Sequence, residues 1–296
     1  MSETVVACPL CSGMPSQLFD RRTFEGRVVD NRLCLTCGFV YQSPRMTASE
    51  TEAFYASEYR QLYQGSNSPN PKDLTIQALR AESLVSFFGE QSSEVKRVLD
   101  IGSSAGLLLQ AFTRVFDSQV VGIEPGLAYR EYAQHNGLKV YESLTELESA
   151  GESPFDLVCM AHVLEHLPDP LSYLISLREK ALAGKGWLLL EVPNLYMHDS
   201  FEVAHLSAFS AHTLRQMVEK AGYQVMKLEK HGRPRSSLLP YYLLMLCQPN
   251  LIKAGRNIHP ERLVLIKRRI GLFQRRKVNR IFPSLAWKSL PEERGR

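Results

Sequence analysis

The chain has 296 residues, 44% of them hydrophobic and 22% charged, which suits a globular protein with one full domain and small accessory pieces. No run of about 18 uncharged apolar residues occurs, which excludes a membrane-spanning helix, and Met1–Ala7 is too short and too acidic for a signal peptide, so the expectation is a cytoplasmic chain. The net charge of +4 conceals an asymmetry, because residues 251–296 hold 13 Lys or Arg against 3 Asp or Glu while the rest is mildly acidic; this excludes a uniform pull on nucleic acid but leaves a local anionic partner open.

In chain order, residues 1–45 hold four of the six cysteines. Cys8-Pro-Leu-Cys11 and Cys34-Leu-Thr-Cys37 are two CxxC knuckles, each able to place two thiolates on one ion, and together they complete a tetrahedral zinc sphere. The reading is a structural zinc-ribbon module, with Gly38 in the tight turn after the second knuckle; redox dithiols or an iron–sulfur cluster are the alternatives. Cys159 and Cys247 lie in apolar runs and read as small buried hydrophobes. Residues 46–94 read as a polar helical linker or lid. It carries a cluster of Tyr55, Tyr59 and Tyr63, and its Gly65–Lys72 stretch (GSNSPNPK) reads as a loop.

Residues 95–248 alternate strand-like and helical runs. The strand candidates are Val95–Gly102, Gln119–Glu124, Leu138–Tyr141, Phe155–Ala161, Gly186–Val192 and Tyr223–Glu229. Ser210–Ala221 reads as a helix with Ser210 as its N-cap and Gly222 as its stop. This alternation predicts an α/β fold with a Rossmann-like, doubly wound, mostly parallel seven-stranded sheet. Leu238–Cys247 has no diagnostic period and reads equally as a last strand or a buried helix. Residues 249–296 are the basic tail, in which Pro260 can open a helix whose apolar stripe is Leu263, Ile266, Ile270 and Phe273. That stripe either docks on the body or lies on an anionic membrane at the inner face, with residues 260–282 making the peripheral contact.

Ligands of open parallel sheets bind beyond the carboxyl ends of the strands. The first strand there ends in Asp100-Ile-Gly102-Ser-Ser104-Ala-Gly106, where the two glycines let the backbone approach a ligand closely, and the second ends in Glu124, placed to accept both hydroxyls of a ribose. A dinucleotide site prefers glycines at 102, 104 and 107, whereas this chain has Gly102, Ser104 and Leu107. The broken phosphate cradle suits S-adenosylmethionine, which has no phosphate.

The runs VLDIGSSAGLLLQAF, VVGIEPG, FDLVCMAHVLEHLPDP and GWLLLEVPN, in that order, resemble the class I S-adenosylmethionine-dependent methyltransferases over about half the chain. The resemblance implies that Asp100, Gly102 and Ser104 line the methionine end of the donor, and that Glu124 holds the ribose with Pro125 beside the adenine. Tyr141–Ser143 would lie near the adenine, and Ala161 and His162 would close over the donor. A hydroxyl or carbon acceptor must lose a proton to a base; His205, His166 and His162, the last nearest the donor, are the candidates, His205 foremost, with Tyr59 in the lid. The stretch from Glu191 to Ser210 is similar to that of sugar methyltransferases, some of which begin with a four-cysteine zinc module. Of the Tyr-His-Glu-His run found in the C-methylating ones, only His205 remains among Glu202, Val203, Ala204 and His205, so O-methylation is expected. The leading expectation is methyl transfer to a nucleotide-linked or surface-glycan sugar. A ribosomal-RNA methyltransferase and a non-catalytic binding protein that retains the fold are the alternatives.

Overall fold

The computed structural model describes residues 2–59, 62, 65–89, 95–152, 154–199, 201–250 and 257–289. Tyr63, the end of the lid segment at 90–94 and the tail at 251–256 and 290–296 lie outside the described residues. The N-terminal part runs β1 (Ser2–Glu3), β2 (Ser16–Phe24), β3 (Arg27–Cys34), β4 (Val40–Gln42), β5 (Arg45–Met46), α1 (Ala48–Ser57) and α2 (Pro71–Gly89). The central part runs β6 (Arg97–Ile101), α3 (Leu107–Phe116), β7 (Gln119–Ile123), α4 (Leu127–His135), β8 (Lys139–Tyr141), α5 (Leu144–Ser149), β9 (Phe155–Ala161), α6 (Pro170–Lys180), β10 (Leu182–Pro193), β11 (Ser207–Ala208), α7 (Ala211–Lys220), β12 (Tyr223–His231) and β13 (Tyr242–Pro249). The tail adds α8 (Val264–Ile281) and α9 (Pro283–Ala286).

Seven strands form the main sheet in the order β12-β13-β10-β9-β6-β7-β8, so the expected doubly wound architecture is present. The pairs β10–β9, β9–β6, β6–β7 and β7–β8 are parallel, while β13 runs antiparallel to both its neighbours. The ambiguous run before Cys247 is therefore a strand. It shows no period because Tyr242 to Cys247 are buried on both faces, yet its side chains still alternate between two cores. Leu244 and Leu246 join Leu84, Phe88, Phe112, Leu157 and Leu189 under α2 and α3, whereas Leu243, Met245 and Cys247 join Val158, Met160 and Leu190 on the other side. Ser210 caps α7 as predicted, accepting from the Thr213 N–H, and Gly222 ends the helix at φ +87°.

The cysteine module and the tail share this core. A second, antiparallel sheet has the order β11-β4-β3-β2, so its fourth strand is supplied by residues 207–208 of the central part. Cys8, Leu10, Cys34, Cys37, Phe39 and Tyr41 belong to the same buried cluster as Val158 and Leu190. The tail is stitched to both: the Glu261 N–H donates to the Cys37 carbonyl, and the Glu261 carboxylate accepts from Tyr196 Oη and Ser210 Oγ.

The tail helix begins at Val264 rather than Pro260, and it docks by a different face from the apolar stripe. Val264, Arg268 and Gly271 are buried. Arg268 donates to the carbonyls of Leu195 and His198 and to Asp199, and Arg275 donates to the Met197 carbonyl. The backbone at residues 195–198 offers acceptors that only a cationic fork can satisfy together, and a guanidinium is weakly enough hydrated to be buried for it. Leu263, Ile266, Ile270 and Phe273 face outward, each between 50% and 65% exposed.

Gly271 permits this docking, because a Cβ there would stand 2.0 Å from the Tyr196 carbonyl oxygen. On a free helix Gly271→Ala would stabilise by about 1 kcal/mol. Here the clash with a fixed backbone reverses the sign, and the substitution should destabilise the protein by about 1–3 kcal/mol in urea unfolding and accelerate amide exchange in α8 first.

Candidate functional site

Two turns at the carboxyl ends of β6 and β7 build one side of a cavity of about 520 Å3. Gly102 and Ser103 donate their N–H groups to the Ile123 carbonyl, which folds the loop after β6 over the end of β7. The backbone is left-handed at Gly102 (φ +74°), Ser104 (φ +50°) and Gly106 (φ +82°). A side chain at Gly102 would meet Val163, and one at Gly106 would meet Leu138 and Ala133. Gly106 thus serves the turn and the close seating of the chain at Ala133 and Leu138, and it is not among the residues lining the cavity. The Glu124 carboxylate is held from both sides, Oε2 accepting from the Ser104 N–H at 2.9 Å and Oε1 from the Gly126 N–H at 2.8 Å.

The cavity is lined by Asp100, Gly102, Ser104, Glu124, Pro125, Ala161, His162, His166 and Tyr59 of the residues the sequence points to, with Glu142 and Ser143 at the end of β8. The opposite wall is the Asp73, Gln77, Arg80 and Leu84 stripe of α2. These positions recur every three or four residues and so share one helix face. Asp100 is buried, and burial followed by the nearby Glu124 charge pushes its carboxyl well above the ordinary carboxylate range. Asp100 Oδ1 and the hydroxyls of Ser103 and Ser104 have no hydrogen-bond partner within the described protein.

Behind the cavity lies a buried charged network that the sequence reading missed. Glu191 is fully buried in β10. Its Oε1 is 2.9 Å from both Arg80 Nε and His162 Nε2, and its Oε2 is 3.3 Å from His231 Nε2. Burial opposes the Glu191 charge, but Arg80, then the bonds from His162 and His231, outweigh it and hold its pKa far below normal. His162 also reaches Glu165 through Nδ1 at 3.2 Å. Burial and Arg80 act to lower the His162 pKa, and Glu165 with Glu191 overcomes them, so the ring is raised toward imidazolium. Both ring nitrogens are thereby engaged with carboxylates. Its backbone is left-handed as well, at φ +57°, a strained conformation for a non-glycine residue that such an anchored ring maintains. The visible signal was Glu191 itself: one carboxylate inside the apolar run Leu188-Leu-Leu-Glu191-Val requires buried cations from elsewhere in the fold.

The other two histidines proposed as bases are not placed alike. His166 lines the cavity, and the rings of Tyr55 and Tyr59 meet it edge-on at 6.0 and 5.9 Å. Its Nδ1 lies 2.9 Å from the Ala204 carbonyl and so carries the proton, which leaves the lone pair on Nε2. Burial, then the charge of His205, pushes the His166 pKa down to about 4. His205 stands next to it, ring centroids 4.8 Å apart, and is not among the cavity-lining residues described.

In the N-terminal part, the Sγ atoms of Cys8 and Cys37 are 3.7 Å apart and those of Cys11 and Cys34 are 3.6 Å apart. All four lie within 4.8 Å of one another. Thiolates at about 2.3 Å around a tetrahedral zinc stand about 3.8 Å apart, so the four side chains fit that ion. No disulfide is formed by these cysteines.

With the geometry in view, the chain can be compared with known proteins. The ubiquinone biosynthesis O-methyltransferase of Vibrio cholerae is 35% identical over 88 residues, 27% of this chain and 36% of that protein. Its namesake in Haemophilus ducreyi is 30% identical over 146 residues, 46% of this chain and 59% of that protein. In each case this chain spans less than two thirds of the relative's length. Among solved structures, a SAM-dependent methyltransferase from Aquifex aeolicus aligns with 60% of this chain and 93% of its own at 20% identity and a TM-score of 0.44. The plantazolicin methyltransferase BpumL in complex with SAH aligns with 68% of this chain and 97% of its own at 14% identity and a TM-score of 0.49. The methyltransferase-domain family matches residues 75–228, more than half the chain and the whole of the cavity-forming sheet end. The chain therefore belongs to the methyltransferase-domain family.

Proposed function

We propose that this methyltransferase transfers its methyl group to a hydroxyl oxygen of a small acceptor, with His166 as the base. The observation that carries the reading is a neutral, cavity-lining imidazole next to a donor-sized pocket. When bound, S-adenosylmethionine supplies an electrophilic methyl group on a sulfonium. The residues present fit it. The cavity lies within the 300–1,000 Å3 range of about one small-ligand site. The unpartnered Asp100 Oδ1 would take the ammonium of the methionine end, which would also relieve the upward pressure on that carboxyl. Glu124, fixed by two backbone N–H groups at the end of β7, would accept from the ribose hydroxyls, and Pro125, Glu142 and Ser143 would flank the adenine.

In-line methyl transfer needs alignment and dryness more than activation, and an alcohol acceptor must also give up a proton. His166 is suited to this because burial keeps it neutral. Tyr55 and Tyr59 offer ring faces beside it on which an acceptor can stack. The acceptor we favour is a sugar, nucleotide-linked or in a surface glycan, as the cysteine module and the Glu191–Ser210 segment suggest by resemblance. The second reading is an acceptor from ubiquinone biosynthesis, which the curated relatives' name and the aromatic wall favour. Incubation with labelled donor and separate pools of nucleotide sugars, lipid-linked glycans, quinone precursors and ribosomal RNA decides between them. Label in the carbohydrate pools alone is expected; label only in RNA or only in quinone precursors defeats the sugar reading.

The cysteine cluster would hold one structural zinc, locking β3 and the N-terminal loop onto the shared core. The purified chain should carry one zinc per molecule by mass spectrometry. Cys34→Ser should lose it and lower stability by several kcal/mol, since binding energy at such a site is folding energy.

Glu124→Gln should weaken donor binding by about 10–100-fold in calorimetry, the loss of one charged acceptor for the ribose; an unchanged Kd would remove the ribose role. His166→Gln should lower kcat by about 10²–10⁴-fold while leaving donor affinity within about twofold. The base must be unprotonated, and burial has lowered its pKa to about 4. The wild-type kcat should therefore stay level as pH falls through 6.5 and drop only near pH 4. An acid limb centred on 6.5 would mean that another group takes the proton.

A further inference from the structure

The apolar residues of the tail helix are on the wrong side for packing. Ile266, Ile270 and Phe273 lie on the face of α8 opposite Val264, Arg268 and Gly271, which seat the helix on residues 195–199. Leu263 before the helix and Ile281 at its end are exposed too, and Phe282, Leu285 and Trp287 follow, each at least 44% exposed. Scattered exposed apolar side chains are ordinary, but a line of this length along one helix marks a contact surface.

The charges decide what it contacts. α8 has seven Lys or Arg and no Asp or Glu. Two of the cations, Arg268 and Arg275, face inward and are spent on backbone carbonyls. Lys267, Arg269, Arg276, Lys277 and Arg280 are exposed beside or within the apolar line, and the Lys277 ammonium lies 4.6 Å over the Phe273 ring. Of these five, Lys267 is paired, to Glu261, the one acidic residue between 257 and 289. A second copy of this chain docking face to face would bring like-charged helices together without acidic residues to offset them, so self-association is disfavoured. A surface that is apolar below and anionic above satisfies both components at once: the Ile and Phe side chains enter the acyl boundary while the long cationic side chains reach the headgroups.

We propose that the outer face of α8 docks the enzyme on an anionic lipid bilayer. Among the described residues no helix is long and apolar enough to cross a membrane, so the contact is in the plane of the surface. The inner face of α8 holds residues 195–198, and the His198 ring packs on Tyr242 beside Glu191, so the docked helix is tied to the charged network behind the cavity.

The test is flotation of the full-length zinc-loaded protein with vesicles of phosphatidylcholine alone and of phosphatidylcholine with phosphatidylglycerol. The expected result is binding to the mixed vesicles only, weakened by added salt. Ile270→Ser with Phe273→Ser should lower partitioning by about tenfold or more. Arg269→Glu with Arg276→Glu should lower it by at least about fivefold for each cation removed. Both pairs are solvent-exposed and outside the cavity, so unfolding midpoint and donor affinity should stay at wild-type values, which separates lost docking from misfolding. Failure of the wild type to float, equal binding to neutral vesicles, or flotation of both double variants at wild-type level would overturn the proposal. So would a wild-type dimer in sedimentation that Ile270→Ser with Phe273→Ser converts to a monomer, because the face would then be a protein interface.

Discussion

A full carboxylate in the middle of a buried strand is the constraint from which the site is built. Glu191 sits in β10 with apolar neighbours on either side in sequence, out of reach of water. An unpaired ion there would cost several kcal/mol. Its partners come from three other elements: Arg80 from α2, His162 from the end of β9 and His231 from the end of β12. Satisfying one charge therefore fixes the lid helix, the loop after the fourth parallel strand and the last hairpin relative to one another. The cavity is the space left between them. Truncating any one partner leaves a buried charge exposed to low dielectric, so this network is far more costly to break than to have been built apolar.

The same network separates the roles of neighbouring histidines. His162 is held between Glu165 and Glu191 and is raised toward its charged form, while the half-buried His166, four residues on, is lowered to about 4. The two rings differ less in exposure than in company: His162 lies between two carboxylates, whereas His166 faces a carbonyl, two tyrosines and another histidine, with Glu165 within 4.8 Å as its one nearby carboxylate among the described residues. A cationic ring cannot accept a proton and a neutral one can, so the local field is what would let His166, rather than His162, serve as the proposed base.

The parts of this arrangement that were legible in the sequence are those fixed by local rules. The strand–glycine loop–helix unit, the acidic residue ending β7 and the capped helix at Ser210 are set by residues within a few positions of one another. The two CxxC knuckles were legible for the same reason, since the metal geometry is carried in the spacing. What local rules could not show was pairing at a distance. Arg80 and Glu191 are 111 positions apart, and the strand that completes the cysteine module's sheet comes from residues 207–208. Which of His205 and His166 lines the cavity was not legible for a similar reason: it depends on how the loop at 201–206 lies against β4, where the Gln42 N–H donates to the Leu206 carbonyl.

The tail shows how a correct pattern can imply the wrong partner. Apolar spacing along α8 was read properly, and the ordinary inference from an apolar stripe is that it faces the core. That inference assumes the core offers hydrocarbon. Here the surface under the helix offers the carbonyls of Leu195, Met197 and His198 together with Asp199, all acceptors, so the face with the better free energy of docking is the arginine face. Once Arg268 and Arg275 take those acceptors, geometry at 100° per residue leaves Ile266, Ile270 and Phe273 pointing out. The buried arginine and the exposed isoleucine are thus one fact. A helix whose polar face is needed inside has no choice but to present its apolar face outside, and it can be retained only where that face finds a surface that accepts it.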